Sequence, residues 1–193
     1  MGFVLASGSA SRRAILENAG LAFEIDPADV DEPALTAAFT GEASDLPLML
    51  AEEKALAVSR RRPELVLGAD QVLAFKGEVY GKAKSADEAR ARLERFRGET
   101  HHLLGGIAAA RGGEVIWRFK SECVMHVRDF SDAFLDDYMQ RAGDILTKGV
   151  GAYAFEGLGA QLFERVEGDY YAVLGLPLLP VLAMLRREGA APV

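Results

Sequence analysis

Apolar and polar positions change period several times along the chain, and each change marks an element. Residues 3–6 are continuously apolar and stop at Ser7-Gly8-Ser9, which predicts a buried strand followed by a small-residue loop. Helix formers resume at Ser11-Arg12-Arg13-Ala14-Ile15-Leu16-Glu17, with Ser9 or Ser11 as the N-cap and Gly20 as the stop. Residues 21–25 alternate like a second strand, and residues 29–45 are mixed and polar, so they are expected to be irregular or lightly helical. Leu48, Leu50, Ala51, Ala55, Leu56 and Val58 recur at helical spacing, which puts Lys54 on a helix over 46–61 that Pro63 ends.

The second half reads in the same way. Residues 65–69 form a fully apolar strand that runs into Asp70, and residues 72–75 and 79–80 flank Lys76-Gly77 as a hairpin. Ser85-Ala86-Asp87-Glu88 has the spacing of a capping box and opens an amphipathic helix over 85–96. Residues 101–110 and 114–127 are long β-like runs joined at Gly112-Gly113, the strongest hairpin signal in the chain. A helix over 131–141, a glycine-rich irregular stretch over 149–159, a strand over 161–166 and a buried C-terminal helix complete the pattern. Strands interleaved with helices predict a mixed α/β or α+β fold with helices around one twisted sheet. With no repeat and no linker, one domain over 1–193 is expected.

Composition narrows the class of partner. The 193 residues carry 29 acidic against 22 basic side chains, a net charge of −7, so long nucleic acids and anionic membranes are disfavoured by repulsion. A small anion needs a local basic pocket set against that field. The longest apolar run, residues 172–185, is short of a membrane span and holds Pro177 and Pro180. The single cysteine, Cys123, excludes an internal disulfide. With no signal peptide in residues 1–6, a cytoplasmic protein is expected.

Four segments could carry chemistry. In the Ser7–Arg13 loop, small residues, free amides at a helix start and an arginine fork could cradle phosphate, although a plain capped helix explains the same residues. Asp70 stands where an apolar strand meets a carboxylate, a position that suits either a catalytic group or the start of a turn. Asp29-Val30-Asp31-Glu32 could hold a magnesium or manganese ion, and Gly81-Lys82-Ala83-Lys84 could meet phosphate oxygens; a solvated charge run and an exposed turn are the alternatives. His101 and His102 fall on opposite faces of a strand and cannot chelate one ion together. Cys123 reads as a packed thiol, Asp136-Asp137 as a solvated helix face, and Trp117 and Phe119 as core or interface.

Taken in order, these segments resemble the Maf family of nucleoside triphosphate pyrophosphatases. The resemblance rests on Leu5-Ala6-Ser7-Gly8-Ser9-Ala10-Ser11-Arg12-Arg13, Val30-Asp31-Glu32, Ala51-Glu52-Glu53-Lys54-Ala55, Ala69-Asp70-Gln71-Val72 and Gly81-Lys82. Gly149-Val150-Gly151-Ala152-Tyr153, Glu156-Gly157-Leu158-Gly159 and Gly175-Leu176-Pro177-Leu178 complete it. It implies an elongated α/β fold of two lobes with a central cleft, similar to the inosine triphosphate pyrophosphatases, and a homodimer. It also implies cleavage between the α- and β-phosphates with a divalent cation, Mg2+ or Mn2+, and a link to arrest of septum formation.

Carried over by position, Asp70 accepts the proton of the attacking water, with Lys54, Lys82 and Glu32 as its catalytic companions, the two lysines also holding the triphosphate and Glu32 assisting with metal or phosphate. Ser7, Ser9, Arg12 and Arg13 hold the triphosphate, and Glu32 and Asp70 are the metal ligands. Ser11, Gln71 and Glu156 occupy the specificity positions. Gln71 and Glu156 are similar to the branch acting on 7-methyl-GTP rather than the branch acting on dTTP and UTP, whereas Ser11 replaces that branch's usual Trp. Ala10 and Ala83 replace the family's usual prolines. The rival expectation is a non-catalytic nucleotide-binding regulator of septum formation, against which Asp70, Lys54 and Lys82 together argue.

Overall fold

The computed structural model describes residues 2–192. Its elements run β1 (Phe3–Leu5), α1 (Ala10–Asn18), β2 (Phe23–Ile25), α2 (Glu32–Ala38), α3 (Leu46–Ser59), β3 (Leu65–Phe75), β4 (Glu78–Tyr80) and α4 (Ala86–Phe96). They continue β5 (Thr100–Arg111), β6 (Glu114–Val127), α5 (Asp132–Ala142), α6 (Ile145–Lys148), a 3-10 turn over Leu158–Leu162, β7 (Phe163–Glu167), α7 (Tyr170–Val173) and α8 (Leu178–Arg187). Seven strands make one mixed sheet in the order β2-β1-β3-β5-β6-β7, with β4 paired to β3. The α/β class expected from the pattern is the one observed.

By its packing the chain divides into two compact units, Met1–Gln71, Leu104–Ser121 and Tyr170–Val193 in the first, Val72–Leu103 and Glu122–Asp169 in the second. In the first unit β1 runs parallel to both β2 and β3, and strand alternation sorts the side chains onto two faces. Phe3, Leu5, Leu65, Leu67, Ala69, Ile107 and Ala109 pack with Ile15 and Leu16 of α1 and Val181, Met184 and Leu185 of α8. Val4, Ala6, Val66, Ala108 and Ala110 pack with Ala51, Ala55 and Val58 of α3. The second face is lined by small residues because α3 lies almost on the backbone. A Cβ on Gly68 would collide with the Ala51 carbonyl oxygen and come 2.8 Å from the Ala55 nitrogen, and one on Gly106 would collide with the backbone at Pro47 and Leu48.

In the second unit β3 pairs antiparallel with β4, and β6 with β7. Phe96 of α4 packs edge-on against Phe75 and Tyr80. Within the first unit the Gly112-Gly113 turn forms as predicted, with φ of +60° and +82° at its two residues, the left-handed backbone a tight hairpin needs. Ser85 caps α4 by accepting from the Glu88 amide at 3.1 Å, but the Glu88 carboxylate accepts from the Lys84 amide at 2.8 Å rather than closing the box on Ser85.

One local expectation is sharpened and two are corrected. Residues 29–45 contain a defined seven-residue helix, α2, because Asp31 accepts from the Ala34 amide at 3.0 Å and Pro33 fits its first turn. Asp70 does not end its strand. Both halves of the segment stay extended as the eleven-residue β3, since Val72 and Leu73 go on burying apolar side chains and no turn is needed. The last strand starts at Phe163, two residues later than its pattern suggests, because the 3-10 turn takes up Gln161 and Leu162. Among the described residues no helix is long and apolar enough to cross a membrane.

Candidate active site

The parity of β3 aims Asp70 at α3. Val66, Gly68 and Asp70 share one face of the strand, and Ala51, Lys54, Ala55 and Val58 form the helical stripe opposite. Gly68 lets the helix approach, and one step further along the same face Lys54 Nζ reaches Asp70 Oδ1 at 2.5 Å. Both side chains are buried, about a tenth exposed. The same ammonium meets Glu32 Oε1 at 2.9 Å, and Glu32 is half exposed. Glu32 stands at the first position of α2, where the Asp31 cap fixes the start of the helix. An ammonium removed from water is held only by such pairing, and here two carboxylates share it.

A second strut comes from the loop between β1 and α1. The Ser9 hydroxyl caps α1, accepting from the Arg12 amide at 3.4 Å, and lies 3.1 Å from the Ser11 hydroxyl. The Ser9 amide donates to Ser7 Oγ at 3.3 Å. Arg12 then reaches inward. Its Nη1 donates to Ser7 Oγ at 3.1 Å and to the Ala69 carbonyl at 2.9 Å, and its Nε donates to the Gly175 carbonyl at 3.0 Å. Burial holds the Arg12 pKa below the ordinary guanidinium value, while the negative charges of Asp70 and Glu32 act in the opposite sense.

Ser7, Ser9, Arg12, Glu32, Lys54 and Asp70 are thus brought together in the first unit by hydrogen bonds and ion pairs. Gln71, the next residue on β3, uses its side-chain amide to donate to the Ala172 carbonyl at 2.9 Å and the Val173 carbonyl at 3.4 Å. Arg13 does not join them; it pairs with Glu17 at 2.7 Å on the exposed side of α1. Lys82 and Glu156 are exposed residues of the second unit. Hydrophobic periodicity missed the part played by Ala172, Val173 and Gly175, whose carbonyls accept from Gln71 and Arg12. The one signal for it is Gly175 itself, which takes φ +95°.

Among the described residues no three His, Cys, Asp or Glu side chains gather as a metal-holding group. Glu32 and Asp70 nevertheless converge on one ammonium, and two hard carboxylates completed by phosphate oxygens and water are the donor set Mg2+ or Mn2+ takes. The other chemical-looking residues are placed apart. His101 is fully buried, with Nε2 2.8 Å from Tyr153 Oη and Nδ1 without a partner, and its pKa is lowered by burial to about 3. His102 faces Glu122 at 2.7 Å. The buried Cys123 thiol is pushed up to about 11 by desolvation, which removes it as a nucleophile.

A serine-rich loop capping the first helix, an arginine folded back onto the Ala69 carbonyl of β3 and a lysine shared by two carboxylates thus form one polar cluster on a mixed α/β fold. The chain belongs to the Maf family, described as Maf-like protein, whose profile matches residues 2–188. It is 54% identical to the nucleoside triphosphate pyrophosphatase of Maricaulis maris over 97% of this chain and 96% of that one. It is 44% identical to the 7-methyl-GTP pyrophosphatase of Brucella suis over 96% and 95%. Among solved structures, the Staphylococcus aureus Ham1 protein aligns with a TM-score of 0.46 and 15% identity, covering 97% of this chain and all of that one.

Proposed function

We propose that this protein is a nucleoside triphosphate pyrophosphatase that cleaves between the α- and β-phosphates, giving a nucleoside monophosphate and pyrophosphate. The observation that carries the reading is Asp70 held at 2.5 Å by Lys54 on a strand whose preceding carbonyl accepts from Arg12, which also donates to Ser7. Asp70 accepts the proton of a water placed against it. The water oxygen bonds to the α-phosphorus as its bond to the bridging oxygen breaks, and the electron pair leaves on the departing pyrophosphate.

The cations meet the charge that develops on the phosphates. Lys54 has three donors, two of them spent on Glu32 and Asp70, which leaves one for a phosphate oxygen. Ser7 and Arg12 line the approach, and Lys82 from the second unit is assigned to the same substrate by the resemblance. Arg12, Lys54, Glu32 and Asp70 sum to zero charge, so a triphosphate needs a further cation. Glu32 and Asp70 would hold Mg2+ or Mn2+, which when bound neutralises phosphate charge and lowers the pKa of a bound water.

Gln71 and Glu156, together with relatives named 7-methyl-GTP pyrophosphatase, support a leaning towards a methylated guanine base. Ser11, without an aromatic ring, supports tolerance of other bases. One functional domain over 1–193, a homodimer and a cytoplasmic location complete the proposal. The test is pyrophosphate release from a panel of canonical and modified triphosphates with Mg2+ or Mn2+. Orthophosphate alone, or no product across the panel, overturns the reading, and nucleotide binding without turnover supports the regulator instead.

A further inference from the structure

We infer that Arg92 is a positioning residue that fixes the loop presenting Lys82 to the substrate, an inference that rests on the phosphate-binding role proposed above for Lys82. Arg92 sits on the inward stripe of α4 with Ala89, Leu93 and Phe96, and its side chain is only 4% exposed. An apolar side chain of similar volume would fill that place at lower cost, since a buried cation gives up its hydration and is recovered only by good partners. The cost is visible in its Nε, which is buried without a partner.

What the guanidinium gains in exchange is a grip on the loop that follows β4. Nη1 donates to the Gly81 carbonyl at 2.6 Å and also to the Val150 carbonyl. Nη2 pairs with Glu88 Oε1 at 2.9 Å, while Glu88 Oε2 accepts from the Lys84 amide at 2.8 Å. The guanidinium carbon lies 5.1 Å from the Tyr80 ring centroid. Both ends of the segment 81–84 are therefore held by one bonded Arg92–Glu88 pair on a rigid helix. Between these anchors Ala83 is buried and Lys82 is exposed. The bracket aims Lys82 outward and limits how far its backbone can drift. The tie to Val150 also joins this loop to the glycine-rich segment that leads to Glu156.

The test is a double-mutant cycle read in steady-state pyrophosphate release, with thermal unfolding as the check on folding. Arg92→Met keeps the volume and removes every donor. It is expected to raise KM for the triphosphate on the order of tenfold, as loss of about 1.4 kcal/mol does, and Arg92→Lys to recover part of that loss. In a Lys82→Ala background, Arg92→Met should change KM little further, because the group it positions is gone. Glu88→Ala, a half-exposed position, should reproduce a smaller form of the same pattern should Arg92→Met fold poorly.

If Lys82→Ala impairs the enzyme but the Arg92 and Glu88 effects multiply with it undiminished, the positioning role is overturned and the role of Lys82 stands. If Lys82→Ala leaves KM and kcat unchanged, the role of Lys82 fails first and the positioning role falls with it.

Discussion

Lys54 lies below the surface with Asp70 and Glu32 facing it from two elements, and the two partners are not equivalent. Asp70 is as buried as the lysine, whereas Glu32 is half exposed. Asp70→Asn should therefore fold, with Glu32 still pairing Lys54, and lose turnover by roughly 10²- to 10⁴-fold, the usual share of a general base. Circular dichroism with pyrophosphate release checks both halves, and a fully active variant excludes Asp70 as the base. Lys54→Met is the harsher change for the fold, since it leaves the buried Asp70 without its cation, a loss of about 3–5 kcal/mol when one partner of a buried pair is removed. His101 makes a separate prediction. Its folded pKa of about 3 lies below the unfolded value of about 6.5, so on acidification the unfolded chain takes up a proton that the fold refuses. Stability conferred by the neutral ring is intact above about 6.5 and is lost progressively towards 3. The urea midpoint should fall more between roughly pH 7 and pH 5 in the native chain than in His101→Phe; equal falls in the two proteins refute this.

The element that decides the site is the contact of α3 with β3. Gly68→Ala puts a methyl group into the Ala51 carbonyl, so α3 must shift off the strand. Stability should fall by about 1–3 kcal/mol, as for overpacking, and turnover with it, since the same shift draws Lys54 from Asp70. Urea unfolding alongside the activity assay checks this, and unchanged values for both would mean the helix is not seated by that glycine. Some of this was legible in the sequence and some was not. The stripe Ala51, Ala55, Val58 placed Lys54 on a helix, and a continuous apolar run found the strand leading to Asp70. That the strand continues past Asp70 to Phe75 was hidden, because a carboxylate in an apolar run looks like a stop until its partner on another element is known. That Lys54 and Asp70 belong to one site followed from the family resemblance, whereas their ion pair was legible in neither the resemblance nor the periodicity. The inward turn of Arg12 was beyond both: its Nε acceptor, the Gly175 carbonyl, lies 163 residues away in sequence, and local pattern carries no information at that range. Arg92 was hidden for the opposite reason, since in an amphipathic pattern a charged residue reads as surface.

For the whole molecule the decisive quantity is charge at two distances. The net −7 repels a triphosphate from afar, and within the site Arg12 and Lys54 only cancel Glu32 and Asp70. Burial also keeps Arg12 occupied with Ser7, Ala69 and Gly175, which makes it a poor source of long-range attraction. On the proposed function, capture of substrate must then come from contacts a few ångströms long, and a divalent ion held by Glu32 and Asp70 would supply the missing positive charge. Two consequences separate this from capture by a basic surface. Chelating the divalent ion should abolish pyrophosphate release, and adding back Mg2+ or Mn2+ should restore it. Raising monovalent salt should change kcat/KM only modestly, since screening acts on distant charges far more than on a pair in contact. Turnover that survives complete chelation would show that the protein's own cations suffice, and a steep fall of kcat/KM with salt would show that long-range steering brings the substrate in after all.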